Sequence, residues 1–346
     1  MKKIQLLIFL TLLLSCSQNK IEDAVQISLK DFGNPIVLKG EILPVETLWK
    51  PMKIFFSDSV FIVIDISYGD HFVLIYDREL NQIVEQVPKG IGPNESIVCW
   101  NIQIIENDIW VFDPDMRKMK VYAKDGFLTQ SHLIPHTTVS FNEQVSTMVS
   151  ISNQNFVGQS FAATENMLSF WDSNGIMNKT KGAAYPKLST GGRKSNSEMF
   201  VLFENNVFYS EKQKKIVALY RYTDLIEIYD EDLNLLSRIH GPDQFLPALN
   251  PVNGLPVKET KSAYYGYCFL TSNEIWALYW GDLYPARVIP PRPVYPHKMF
   301  VFDFSGKPLR SYNLEYPLHY FCIDEENRTI YGLAELEDYS IVKYRY

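Results

Sequence analysis

Short apolar runs broken by polar turns recur along nearly the whole chain, and one of them repeats with a recognisable ending. A strand closes on an aromatic residue and, in most copies, a turn residue follows: FVLIYDREL at Tyr76, MKVYAKDG at Tyr122, MLSFWDSNG at Trp171, LIEIYDEDL at Tyr229, MFVFDFSG at Phe302 and SIVKYRY at Tyr344. The intervals between these aromatics are 46, 49, 58, 73 and 42 residues. Ahead of each copy stand two apolar runs around a polar turn: KIFFSDSVFIVID, IQIIENDIWVFD, VSISNQNFVGQSF, NVFYSEKQKKIVALYRY, CFLTSNEIWALYWG and FCIDEENRTIYGLAE. After most copies comes one more strand: IVEQV, LTQSHLI, LLSRIHG and LRSYNL. Four short β-rich strands per unit at this period predict an all-β six-bladed β-propeller with four antiparallel strands per blade. No long segment of 3.6-residue periodicity competes with it. A stacked solenoid or a two-domain sandwich accounts for the four-strand unit less directly.

The sixth copy ends with the chain, so the outermost strand of its blade must come from elsewhere. The N-terminal IVLKGEILPV, or AVQISLK before it, is the available donor. Such a closure ties the two ends together and removes open sheet edges.

The first residues have a different pattern. Met1-Lys2-Lys3 is a short basic start, and Ile4 to Leu14 is apolar apart from Gln5 and Thr11. Eleven residues fall short of the about 20 that a membrane-spanning helix needs, which points to a signal peptide. It ends in Leu13-Leu14-Ser15-Cys16, which resembles the bacterial lipobox, and that resemblance implies lipid modification of Cys16 after cleavage. Ser17 rather than Asp follows the cysteine, so the expected address is the outer membrane. Residues 1–15 are then the lipoprotein signal peptide, 16–30 a lipidated tether and 31–346 the propeller. No later stretch reaches 18 uninterrupted apolar residues, so the body is expected to be held at a membrane by its lipid.

Composition narrows the picture further. With 46% hydrophobic and 21% charged residues among 346, the chain can bury a large core, and disorder or a disulfide-stapled miniprotein is excluded. A formal charge of −7 speaks against nucleic-acid binding. With Cys16 lipidated, Cys99, Cys268 and Cys322 remain, an odd number for a disulfide framework, and all three sit in apolar company as expected of buried thiols. Of the six histidines only His132 and His136 are spaced as HxxxH, and no zinc site is expected. No GxSxG elbow or phosphate-binding glycine loop is present, and no cofactor is expected.

Within the repeats, GIGPNE (Gly90–Glu95), YRYTDLIEIYD (Tyr220–Asp230), HGPDQF (His240–Phe245), VFDFSGKPL (Val301–Leu309) and IDEENRTIYGLAE (Ile323–Glu335) resemble the TolB-like six-bladed propeller lipoproteins of Bacteroides-type bacteria. The resemblance runs from about Asp31 to the C-terminus. It implies the fold and the lipoprotein address and carries no catalytic residues. Asn94 stands where the family pattern usually has Gly; Asn tolerates a left-handed turn, so the loop is expected to survive.

Candidate binding residues follow from where the sequence invests in loops. In a propeller, the connections between the second and third strands share one face with those between blades. On that face, WGDLYPARVIPPRPVYPHKM (Trp280–Met299) and GPDQFLPALNPVNGLPVKETK (Gly241–Lys261) are long and proline-rich, which fits a stiff, preformed wall. Trp280, Asp282, Tyr284, Arg287, Arg292 and His297 are the expected contacts of a groove there. The same segments also suit a flap over a sheet edge. Glu95, in the turn between blades one and two, is a further candidate and a candidate cap of backbone amides. Asp70, Asp115, Glu165, Asp224, Asp282 and Asp338 place one acid in each loop between second and third strands. Such a ring can draw a cation or a basic peptide, and aspartates also serve simply as turn formers.

Two functions fit. The leading expectation is a non-catalytic scaffold that binds an envelope protein, a peptide or a glycan. The alternative is a metal-dependent hydrolase or lactonase, which needs three or four carboxylates or amides at the tunnel mouth, Glu95 among them. The mostly apolar first strands count against it.

Overall fold

The computed structural model describes residues 20–45, 48–131, 133–162, 164–189, 194–249, 261–264, 267–283 and 295–346. Six antiparallel sheets stand around one axis. From the axis outward, the first blade is Pro51–Ser57, Val60–Asp65, His71–Tyr76 and Gln82–Pro88. The second is Asn101–Ile105, Asp108–Asp113, Lys118–Ala123 and Thr137–Ser140. The third is Val145–Ser150, Phe156–Ser160, Asn166–Trp171 and Met177–Ala184. The fourth is Asn205–Ser210, Lys215–Tyr220, Leu225–Asp230 and Leu235–His240. The fifth is Cys268–Leu270, Glu274–Tyr279, Lys298–Asp303 and Pro308–Leu314.

The sixth blade, Tyr320–Asp324, Thr329–Glu335 and Tyr339–Arg345, receives its outermost strand from the N-terminal Gly40–Leu43. The closing strand is thus the GEIL part of the first donor segment. The earlier residues do something the pattern does not show. Val25–Gln26 pairs parallel to Ile239–His240 on the outside of the fourth blade, and Ile36–Leu38 pairs parallel to Tyr312–Leu314 on the fifth. Ile21 bridges to Leu188 after the third blade. The N-terminal segment is therefore a strap around the outer edges of four successive blades. Its buried residues Ile21, Ile27, Phe32 and Leu38 enter the cores between blades three and four, four and five (both Ile27 and Phe32), and five and six. Phe32 packs on Phe300 and Phe302 with ring centroids 4.4 and 5.2 Å away. Burying such a ring stabilises by roughly 1.5–3 kcal/mol.

Six buried clusters fill the six interfaces between neighbouring blades. A middle strand meets a neighbour on both faces, which is why VFIVID, IVALY and IWALY run apolar without alternation. The six repeated aromatics Tyr76, Tyr122, Trp171, Tyr229, Phe302 and Tyr344 are all buried in these interfaces. Cys99, Cys268 and Cys322 are buried free thiols.

One local expectation fails, and one turn forms by a different residue. LTQSHLI is not the outer strand of the second blade. The helix Lys124–Thr129 takes up its start, and Thr137–Ser140 supplies the strand. The helix is held by packing: Phe127 is buried against Tyr122, and the Gln86 amide of the first blade donates to the carbonyls of Phe127 and Gln130. Asn94 does not take a left-handed conformation. Gly90 does, at φ +150°, where any Cβ would collide with the Glu95 carboxylate.

Candidate functional site

Antiparallel alternation fixes which loops share a face. Each innermost strand begins at the end of the axis where connections between blades and between second and third strands gather. The two long connections of the fourth and fifth blades lie there, and the structure joins them. Lys261–Ser262 pairs antiparallel with Asp282–Leu283, and the Trp280 N–H donates to the Ala263 carbonyl at 2.8 Å. Beneath this pair the Tyr279 hydroxyl donates to Asp243 at 2.7 Å, and the buried Tyr264 hydroxyl donates to the Gly241 carbonyl at 2.8 Å. Burial pushes both phenols well above their ordinary range, and the nearby Asp224 and Asp243 carboxylates add to it.

Of the sequence candidates, Trp280 is half-buried at the end of a strand and Asp282 is exposed on the paired segment. His297 is exposed at the far end of the same connection, with Nδ1 3.2 Å from the Leu314 carbonyl oxygen. Tyr284, Arg287 and Arg292 lie outside the described residues, as does Cys16. Glu95 belongs to the turn between the first two blades. Its carboxylate accepts the Gly92 N–H at 2.8 Å, so within the described contacts it acts as a cap. The loop acids do not behave as one set. Asp224 is fully buried and accepts the N–H groups of Asp243, Gln244 and Phe245, which shapes the connection leaving blade four. Glu165 lines a groove of about 560 Å³ on the third blade with Glu143, Asn178 and Lys179. The metal-dependent alternative calls for several converging ligands. Among the described residues, no three His, Cys, Asp or Glu side chains are grouped to hold an ion.

Sequence reasoning missed the residues at the mouth of the axis itself. Lys53, on the innermost strand of blade one, donates to Asn101 Oδ1 of blade two at 3.1 Å. Its ammonium lies 5.6 Å from the ring centroids of Trp100 and of Tyr320, which opens the innermost strand of blade six. Tyr267, at the start of blade five's innermost strand, meets Tyr320 edge-on at 5.6 Å. Nearby, the Tyr295 hydroxyl donates to Glu335 at 2.9 Å, and the Tyr295 ring lies 5.0 Å from the buried imidazole of His319. Desolvation lowers Lys53 to about 8, and the one ionisable group opposing that shift is the Cys99 thiol. Burial itself pushes that thiol up to about 12. The signal in the sequence was a lone lysine inside the apolar run PMKIFF.

The sequence profile described as TolB-like 6-blade propeller-like matches residues 31–326. Among solved structures, one from Bacteroides fragilis, titled as an exported protein, shares 14% identity at a TM-score of 0.53, covering 92% of this chain and 99% of that one. A member of the DUF4221 family from Bacteroides vulgatus shares 11% identity at a TM-score of 0.51, covering 90% and 96%. Raptor from Chaetomium thermophilum superposes at a TM-score of 0.51 with 9% identity, covering 91% of this chain and 29% of that one. At these identities the likeness is one of fold. No curated protein matches the sequence.

Proposed function

The chain belongs to the TolB-like six-bladed propeller family, and from that premise we propose that it is a lipid-anchored protein of the bacterial envelope, in the outer membrane. Its propeller is a non-catalytic scaffold that binds a ligand, an envelope protein, a peptide or a glycan on the face carrying the two joined connections. The observation that carries this reading is the route of the N-terminal strap. Lys20 is already tied to the body, its N–H donating to Ser189 Oγ at 2.8 Å and its carbonyl accepting the Ser189 N–H at 2.9 Å. Four residue steps separate it from Cys16, at most about 14 Å of extended chain. A lipid on Cys16 would hold the strap edge of the propeller against the bilayer. The strap exposes Val25, Ile36, Val37 and Ile42 along the outer edges of blades four to six, and Leu235 and Leu236 are exposed on the fourth blade, apolar side chains suited to lipid contact.

The test is fractionation of cells expressing the full chain and its Cys16→Ser variant. The parent should stay in the membrane fraction after a high-salt wash and enter solution in detergent. The variant should be released without detergent. A variant that stays with the membrane as firmly as the parent defeats the lipid assignment. For the binding face, a thermal-shift screen against envelope glycans and peptides should return a ligand whose stabilisation disappears in Trp280→Ala and falls in Arg287→Ala and Arg292→Ala.

A further inference from the structure

We propose that the axial mouth around Lys53 binds a small carboxylic acid with a flat apolar body, the carboxylate pairing with the Lys53 ammonium and the body lying on Trp100. The inference shares its face with the binding scaffold proposed above but stands on different residues.

Lys53 differs from the sheltered cations that the fold pairs or saturates. Arg238 in the fourth blade is paired with the buried Glu227. Arg310 in the fifth grips Glu274 with two nitrogens, at 2.8 and 2.7 Å. Lys120, fully buried, donates to the Glu95 carbonyl and to Ser96 Oγ. Lys53 has a neutral amide oxygen and two ring faces, and among the described residues no carboxylate acts on it. Ring faces stabilise a cation but take none of its hydrogen-bond donors, so the ammonium, with three N–H groups, has donors left over. Lys53 as a residue is only partly buried.

Trp100 supplies the second, independent observation. Trp110, Trp171 and Trp276 are buried and Trp49 is exposed elsewhere, whereas the exposed Trp100 stands beside this cation. A ring left in water next to an unpaired ammonium is a surface for a molecule that carries both an apolar plane and a negative charge. One ammonium between ring faces matches a single carboxylate. A phosphate dianion finds one cation where it calls for more. A neutral sugar has no use for the charge.

Two other ionisable groups face the site, Cys99 and Tyr320. Desolvation raises both, so both are neutral at pH 7 and Lys53 alone sets the pH response. The ammonium predominates at pH 7 and is reduced to about one-tenth one unit above its value of about 8.

The experiment uses benzoate and its neutral isostere benzamide with the folded body, by isothermal titration calorimetry. Benzoate should bind saturably at pH 7, with benzamide at least about tenfold weaker. The benzoate affinity should be about tenfold lower at pH 9. Lys53→Met should weaken benzoate by about thirtyfold or more, and Trp100→Ala should weaken it less. The unaltered protein provides a check that needs no variant to fold. Saturating benzoate should protect Lys53, and not the exposed Lys30, from an amine-acylating reagent read by mass spectrometry. No saturable benzoate binding, equal affinity for benzamide, or unprotected Lys53 would each overturn the proposal.

Discussion

The fourth blade and the mouth of the axis both hold a charge away from water, and they treat it in opposite ways. In the blade, Glu227 is fully buried and accepts hydrogen bonds from Arg238, Tyr220 and Tyr229. Arg238 also donates to the Glu22 carbonyl at 3.1 Å, which fastens the strap. Each of these groups has a partner supplied by the fold, so this charge is part of the structure. At the mouth, the fold surrounds Lys53 with rings and an amide, and among the described residues no carboxylate acts on it. A charge kept at a cost in stability, at a place a ligand can reach, is a feature of sites rather than of scaffolds. The comparison makes predictions about stability that are separate from any ligand.

The largest effect belongs to the paired charge. Glu227→Ala leaves Arg238 and two buried phenols without their acceptor. It should destabilise by about 3–5 kcal/mol, measured by denaturant unfolding. Because Arg238 also holds Glu22, the strap amides around Val25 should exchange faster. Unchanged stability would mean that the cluster is not structural, and the contrast with Lys53 would collapse.

Next comes a buried group that avoids charge altogether. His319 lies in the interior with Nε2 2.9 Å from the Pro51 carbonyl oxygen, an arrangement in which the neutral ring donates. Desolvation lowers it from 6.5 to about 4. On acidification the unfolded chain takes up a proton at this residue before the folded one does. Stability is therefore lost as pH falls from about 6.5 to 4, by about 3 kcal/mol at most. His319→Gln should flatten this part of the stability–pH curve. An equal slope in parent and variant would assign the acid sensitivity elsewhere.

Lys53→Met should move stability the other way. Its folded value of about 8 lies below the ordinary 10.5, so the charged amine burdens the folded state fully below pH 8, and the burden fades as pH rises toward 10.5. After allowance for the lost ring contacts, the variant should be about 1–3 kcal/mol more stable than the parent at pH 7. The gain should shrink toward pH 10. A variant less stable at pH 7 would make Lys53 another structural charge.

The same contrast explains what could be read in the sequence. The six repeated aromatics were legible because each is a local strand end whose burial is dictated by its blade, and the interior blade interfaces bear that out. The closing strand was legible because the last repeat is one strand short. The strap's parallel pairing on blades four and five was not, since Val25 and Ile36 meet partners more than 200 positions away and edge pairing leaves no periodicity. LTQSHLI resembled a strand until Gln86, from another blade, favoured a helix through its carbonyls. At the candidate site the pairing of the two long connections lay where proline-rich length pointed. The Lys53 cluster did not, because its meaning depends on Asn101, Trp100 and Tyr320, which only the ring closure brings to one lysine.

Exposed charges sharpen the comparison from the other end. The aspartates that follow the repeated aromatics close the turn to the outer strand. Asp77 accepts the Asn81 N–H at 2.8 Å, Asp230 those of Asp232 and Asn234 at 2.9 Å each, and Asp303 those of Ser305 and Lys307 at 2.8 and 3.0 Å. These hydrogen bonds outweigh what burial there is and hold all three carboxyls below their ordinary value of 3.8. Their contribution is therefore complete above about pH 4 and is lost as pH falls below it. Asp303→Ala should cost about 0.5–1 kcal/mol at pH 7, the smallest effect here, whereas Asp303→Asn keeps an acceptor for the same turn and should recover most of it. Asp303→Asn should converge on the parent near pH 2 in thermal unfolding. A loss from Asp303→Asn as large as from Asp303→Ala would show that the charge matters even in water. The ranking of buried paired, buried unpaired and solvated charges would then have to be rebuilt from its lowest rung.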